Sequence, residues 1–175
     1  MTTDANEQTR IRGYLLSQGE RYSYLETWPR CVKARLEVLD SLQSVSAEQA
    51  VFKPEAEEWS ITEVALHVLN GSRRVMRVVE LLADGHPASS DRIDPTHQET
   101  DLTVEELHQQ LLKDSVDWSA MTQRLTDTPS FDATAPHAFF GELHSRAWYL
   151  FQRVHDLDHV QQIANIKQSS GYPAA

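Results

Sequence analysis

Of the eight histidines in this 175-residue chain, His155 and His159 lie four apart in a stretch of helical periodicity. That spacing stacks two imidazoles on one helix face, within reach of a common ion. Taking roughly 100° per residue from His155, Arg146, Arg153, Asp156 and Lys167 fall at about +100° to 180°, on a charged face. Trp148, Phe151, Gln162 and Ile166 fall within about 40° of His155 instead. The pair therefore faces an apolar interior, where an unsatisfied polar group costs on the order of 1–3 kcal/mol. A shared divalent metal would satisfy both rings, since neutral imidazole is its commonest nitrogen ligand. Hydrogen-bonded core histidines fit the same spacing. A third ring, His67, sits at the edge of an apolar stripe made by Val64, Val68, Gly71, Val75, Val78 and Leu82. Glu63, Asn70, Arg73, Arg74 and Arg77 occupy its other side. Such a boundary position suits a ligand at the mouth of a pocket, and a structural histidine equally well.

The other reactive side chains carry weaker signals. His86, His97 and His137 lie in polar or proline-flanked connections and read as surface histidines. His108 completes a Glu-x-x-His (Glu105 to His108), but a di-iron bundle needs two such motifs and no second one exists. Cys31, near Lys33 and Arg35, bears no mark of a lowered pKa. The four tryptophans, Trp28, Trp59, Trp118 and Trp148, read as core and helix-staple residues. Arg73, Arg74 and Arg77 could pair an anionic substrate or simply form salt bridges on an acidic surface. Glu63 and Asp158 are candidates for orienting a ligand or for acid–base work, against a plainer reading as capping or solvated carboxylates. No general base is legible.

Four long helices and one short one must position these residues. The short helix covers roughly 6–18, with Ile11, Tyr14, Leu15 and Gln18 on one face. The first long helix is expected to begin near Thr27-Trp28-Pro29, proline being tolerated in a first turn, and to reach about Ser44 with Val32, Leu36, Leu39 and Gln43 on one face. Ser60-Ile61-Thr62-Glu63 is a capping box with Trp59 placed to staple onto Val64, and it opens a helix to about Ala83. Thr103-Val104-Glu105-Glu106 opens the next in the same way, with Leu102 and Leu107 as its staple. That helix carries Val104, Leu107, Leu111, Trp118, Met121 and Leu125 to about Thr126. The last runs from Ser145 to about Gln168, ahead of Gly171 and Pro173. The polar connection from Asp84 to Asp101 is long enough to return along a helix of its neighbours' length, so a crossover is permitted. The expected fold is all-α, a four-helix bundle with a short N-terminal helix, one domain over residues 1–175 with its core at about 21–168.

Composition narrows the function classes. Hydrophobic residues make up 40% and charged ones 24%, a globular balance. No apolar run approaches the roughly 20 residues of a spanning helix, the first residues show no secretory signal, and the lone cysteine fits a reducing cytoplasm. The formal net charge of −10 would repel a phosphate backbone, which argues against nucleic acid as partner. Six glycines and seven prolines leave few hairpin signals, which disfavours sheet architectures.

Several segments together resemble the DinB/YfiT-like metalloenzymes. They are Trp28-Pro29-Arg30, Phe52-Lys53-Pro54, Glu58 to Val64 followed by His67, Gly141-Glu142-Leu143 ahead of Trp148, and Arg153 to Ile163. The resemblance covers about Arg21 to Gln168. It implies a four-helix bundle with a long crossover that holds one divalent metal, zinc or nickel, through His67, His155 and His159. Some members carry a further histidine just before the last ligand, where this chain has Asp158. The resemblance further implies a metal-dependent S-transferase or related hydrolase using a low-molecular-weight thiol, and points to a homodimer. Apolar residues nearly all round the last helix (Leu150, Val154, Leu157, Val160, Ala164) agree with the latter. A non-catalytic metal-binding or stress-associated protein is the alternative.

Overall fold

The computed structural model describes residues 5–88 and 97–174, and is mostly helical. In chain order the elements are α1 (Ala5–Arg21), α2 (Tyr24–Leu42), α3 (Ala47–Val51), α4 (Ile61–Ala83), α5 (Val104–Arg124), β1 (Thr134–His137), β2 (Gly141–His144) and α6 (Ser145–Gln168). Helices α2 to α5 each start with a reciprocal capping box: Ser23 with Glu26, Ser46 with Gln49, Ser60 with Glu63, and Thr103 with Glu106. Each cap satisfies amide donors that the first turn leaves orphaned, at a stabilisation of about 1 kcal/mol. The starts expected at Ser60 and Thr103 are thus observed. Helix α2 begins earlier than expected, because Ser23-x-x-Glu26 caps it and Pro29 lies inside it. The carbonyl left without its helical donor is that of Leu25, an exposed position.

The buried face of α2 also differs from the one expected. Cys31, Ala34, Arg35, Val38, Leu39 and Leu42 are buried, whereas Leu36 is 50% exposed. The apolar repeat of Val32, Leu36, Leu39 and Gln43 was rotated by about one residue from the true seam, because a charged side chain, Arg35, sits in that seam.

Helix α6 packs along α4 and α2, α5 packs along the same two helices, and α1 lies on α6 and β2. One apolar cluster, around Val38, Val64, Val68, Leu107, Leu111 and Ile163, fills one part of this assembly. A second joins α1, the hairpin and the start of α6 around Leu15, Val79, Met121, Phe140, Trp148 and Tyr149. Val154 packs against that second cluster, as do Ile11, Tyr14 and Leu16 of α1. The N-terminal helix therefore covers part of the extra apolar surface of α6. Gly19 makes this approach possible: a Cβ there would come within 2.7 Å of the His144 ring and 3.0 Å of the Ala147 amide.

Two elements were not expected from the sequence. Helix α3 is a single short turn, and β1 and β2 form an antiparallel hairpin that pairs His137 with Gly141. Gly141 turns the chain at φ +65°, a conformation that suits glycine. The imidazole of His137 supplies the other half of the turn, its Nδ1 accepting from the amides of Phe139 (3.1 Å) and Phe140 (3.3 Å). His137 is therefore a buried turn-former rather than a surface histidine. The expected crossover connection lies partly outside the described residues, at 89–96. Among the described residues, no helix is long and apolar enough to cross a membrane.

Candidate metal centre

His67 on α4 and His155 and His159 on α6 are brought together in the interior, at 7%, 5% and 8% exposure. His67 is thus more deeply placed than its boundary position suggested, because α6 closes over that side of α4. The Nε2 of His155 lies 3.1 Å from that of His67 and 3.2 Å from that of His159. One nitrogen from each of the three rings can be chosen so that all lie within 4.8 Å of one another. Metal–nitrogen bonds of about 2.0–2.1 Å in a tetrahedron separate two nitrogens by about 3.3 Å, close to both short distances.

The protons make the same point chemically. An imidazole nitrogen carries either one proton or one lone pair, never both. His155 Nε2 can therefore complete a hydrogen bond with only one of its two close neighbours. A cation accepts lone pairs from all three at once. Burial, reinforced by charge on His159, His67 and Arg35, pushes the His155 pKa well below its usual value. The ring is held neutral, the form that ligates.

Neighbouring side chains hold the rings. His159 Nδ1 lies 2.8 Å from Gln162 Oε1; a proton donated there leaves Nε2 with its lone pair directed to the cluster. His67 and Trp59 meet edge to face with ring centroids 5.0 Å apart, and His97 stacks on Trp59 at 5.1 Å. His97 Nε2 in turn lies 3.1 Å from Glu63 Oε1. His97 is exposed, as expected, yet it braces the wall of the site. Glu63 caps α4 through the Ser60 amide (2.7 Å) and pairs with Lys53 at 2.8 Å. Burial works against its ionisation, but Lys53 and the Ser60 amide outweigh this and lower its pKa. The capping reading of Glu63 holds. Asp158 is exposed and takes no part in the hydrogen bonds of the cluster.

Asp156 is where the helical-wheel reading of α6 fails. It is 1% exposed and lies in a charged network at the centre of the helices. Arg35 holds Asp156 with two nitrogens (Nε–Oδ2 3.0 Å, Nη2–Oδ1 3.3 Å) and Asp114 with Nη1 at 2.7 Å. Arg35 Nη2 also donates to Ser72 Oγ at 3.0 Å, which accepts from Trp118 Nε1 at 2.6 Å as well. Gln152 Nε2 donates to Asp156 Oδ1 at 2.7 Å. Burial alone would depress the Arg35 pKa, but the two carboxylates raise it, so the guanidinium stays charged. Burial raises the Asp156 pKa, and Arg35 offsets only part of that. The network joins α2, α4, α5 and α6, and sequence reasoning missed it. A signal existed: Asp114 fills the gap between Leu111 and Trp118 in the apolar repeat of α5, where only a paired carboxylate survives.

The remaining candidates are not drawn into the cluster. Cys31 is buried, and burial pushes its thiol up to about 12, so it is not a reactive nucleophile. His108 lies on α5 beside the end of α2, and His86 is exposed. Arg73, Arg74 and Arg77 are exposed, with Arg73 donating to Gln110 at 3.3 Å. Trp118 and Trp148 are core residues, whereas Trp28 and Trp59 are only half-buried.

Comparison with known proteins adds two findings. A family model described as DinB superfamily matches residues 31–163. The chain is also 26% identical over 152 residues to the uncharacterized protein YuaE of Bacillus subtilis (strain 168), covering 78% of this chain and 94% of that protein.

Proposed function

The chain belongs to the DinB superfamily, and from that membership and the converging imidazoles we propose that it is a metal-dependent thiol S-transferase or a related hydrolase. The metal ligands are His67, His155 and His159, and the ion is divalent, zinc or nickel. Helices α2, α4, α5 and α6 form the four-helix bundle, a single domain over residues 1–175, with the crossover between α4 and α5. The observation that supports this reading most is the meeting of three Nε2 atoms whose contacts protons alone cannot satisfy.

An ion held there supplies Lewis acidity and lowers the pKa of a thiol or water nucleophile. Three ligands leave at least one position open, the pattern of a reactive site rather than a closed structural one. The protein's own contribution is to keep His155 neutral and all three rings fixed in place. Burial keeps His155 unprotonated, Gln162 fixes the tautomer of His159, and Trp59 braces His67. The substrate is a small molecule and the nucleophile a low-molecular-weight thiol. The net charge argues against nucleic acid, and we place the protein in the cytoplasm without a membrane partner.

Protein purified without a histidine tag should carry one divalent ion per chain by elemental analysis. His155→Ala or His159→Ala should remove most of it, and His108→Ala should not. Equal loss from His108→Ala would sink the ligand assignment. Zinc- and nickel-loaded protein should then turn over at least one member of a panel of thiols and electrophiles. A full metal complement with no turnover would favour the alternative, a metal-binding protein without catalysis.

A further inference from the structure

A narrow cleft of about 60 Å³ opens between α2 and α5 and ends on α6, room for about four to six water molecules or for one small ring in their place. It shares no lining residue with the three-histidine cluster. Its walls are apolar and largely aromatic: Trp28 and Val32 from α2, Trp118 from α5, and Tyr149 from α6. Leu36, half exposed, stands at its lip. Trp28 spans the gap between the two helices, its Nε1 donating to Ser119 Oγ at 3.4 Å, the long end of the hydrogen-bond range.

The inner end of the cleft is polar. Gln152, 3% exposed, lines it beside Arg35 and Asp156. The Gln152 amide is oriented chemically, because only its NH₂ can donate to the Asp156 carboxylate at 2.7 Å. That bond commits the other atom, Oε1, to be an acceptor, and among the described residues Oε1 has no hydrogen-bond partner. A buried acceptor of this kind is unusual in a folded chain and marks a place for a donor. The charges nearby are already matched, Arg35 to Asp156 and Asp114. An anion entering would meet Asp156, and a cation would meet Arg35.

We propose that this cleft binds a small uncharged aromatic molecule whose single O–H or N–H donates to Gln152 Oε1, with the ring packed among Trp28, Trp118 and Tyr149. The site is separate from the metal centre and needs neither the ion nor turnover there.

Phenol and anisole are the probes, since they match in ring and differ in the donor; benzoate tests the exclusion of anions. The readout is a titration followed by the four tryptophan indole N–H resonances in a nitrogen–proton correlation spectrum. Phenol should shift the Trp28 and Trp118 signals and leave those of Trp59 and Trp148 in place. Phenol should bind about threefold to tenfold more tightly than anisole, the share of one hydrogen bond, and benzoate should not bind. Gln152→Met should erase the preference for phenol while keeping anisole binding. Ser119→Phe, which fills the cleft from α5, should abolish both. Equal affinity of wild-type protein for phenol and anisole would overturn the proposal, because Oε1 would then be served by water. No shift of Trp28 and Trp118 at millimolar phenol, or undiminished binding by Ser119→Phe, would overturn it equally.

Discussion

Replacing Arg35 with methionine keeps most of the side-chain volume and removes the only guanidinium in a site where Asp114 and Asp156 have side chains 2% exposed. Two carboxylates are then left in the interior. Among the described residues, Asp114 retains only the hydroxyl of Ser72 as a donor, and Asp156 only the amide of Gln152. Removing one partner of a buried ion pair costs about 3–5 kcal/mol, a large part of the 5–15 kcal/mol that holds a typical domain together. For a chain of this length that is a fall in Tm of about 6–20 °C. The cost should depend on pH. Without Arg35 the folded-state pKa of Asp156, already raised by burial, rises further above its unfolded value of about 3.9. The folded variant then binds protons that the unfolded chain does not, so its stability falls as pH rises through that window. The difference from wild type should therefore be small near pH 4 and full at pH 7. Urea unfolding of chelator-treated protein, followed by far-ultraviolet circular dichroism, measures this without interference from metal. A loss below about 1 kcal/mol at pH 7, or one that fails to shrink on acidification, would refute the account of a dehydrated, mutually dependent charge network.

Gln162→Leu leaves all three imidazoles but removes the acceptor for His159 Nδ1, and should weaken zinc affinity about 10–100-fold in a competition titration with a chromophoric chelator. Metal occupancy should fall as pH drops below about 6, because protons compete with the ion for the imidazoles. Chelated protein should keep its helical circular dichroism at neutral pH and melt below the metal-loaded form; outright unfolding would mark the ion as a structural staple. The lowered His155 pKa gives the apo form its own trend, with full stability above pH 6.5 and a loss as pH falls toward the folded-state value, seen as a falling Tm between pH 6.5 and 5. Sedimentation at micromolar concentration should show a dimer; a species of 19.9 kDa would exclude it.

Residues whose signal is local were legible before any coordinates. The capping boxes at Ser60 and Thr103, the periodicity of α4, α5 and α6, and the i,i+4 placement of His155 and His159 all depend on neighbours within a turn or two. Residues whose role depends on distant partners were misread. Asp156 was assigned to a solvated face because its own helix gives no hint of Arg35, which is 121 positions away. His137 read as a surface group because its burial comes from Phe140, Trp148 and Phe151 closing around it. The face of α2 was misplaced for the same reason: a buried arginine breaks the apolar count that periodicity relies on.

The charge network also bears on how finely the helices are indexed against one another. Apolar side chains such as Val64, Val68, Val75 and Val79 of α4 are interchangeable, so α6 could slide along α4 by one turn and still bury most of the same surface. Such a slip moves every side chain about 5.4 Å along the axis. It would carry His155 out of reach of His67, now 3.1 Å from it, with little change in helicity. Arg35 admits no such latitude, since its nitrogens must meet Asp156, Asp114 and Ser72 on three other helices at once. The guanidinium thus acts as an index pin between α2 and α6. A chain that lost it but stayed folded would lose the alignment of its imidazoles before it lost its shape.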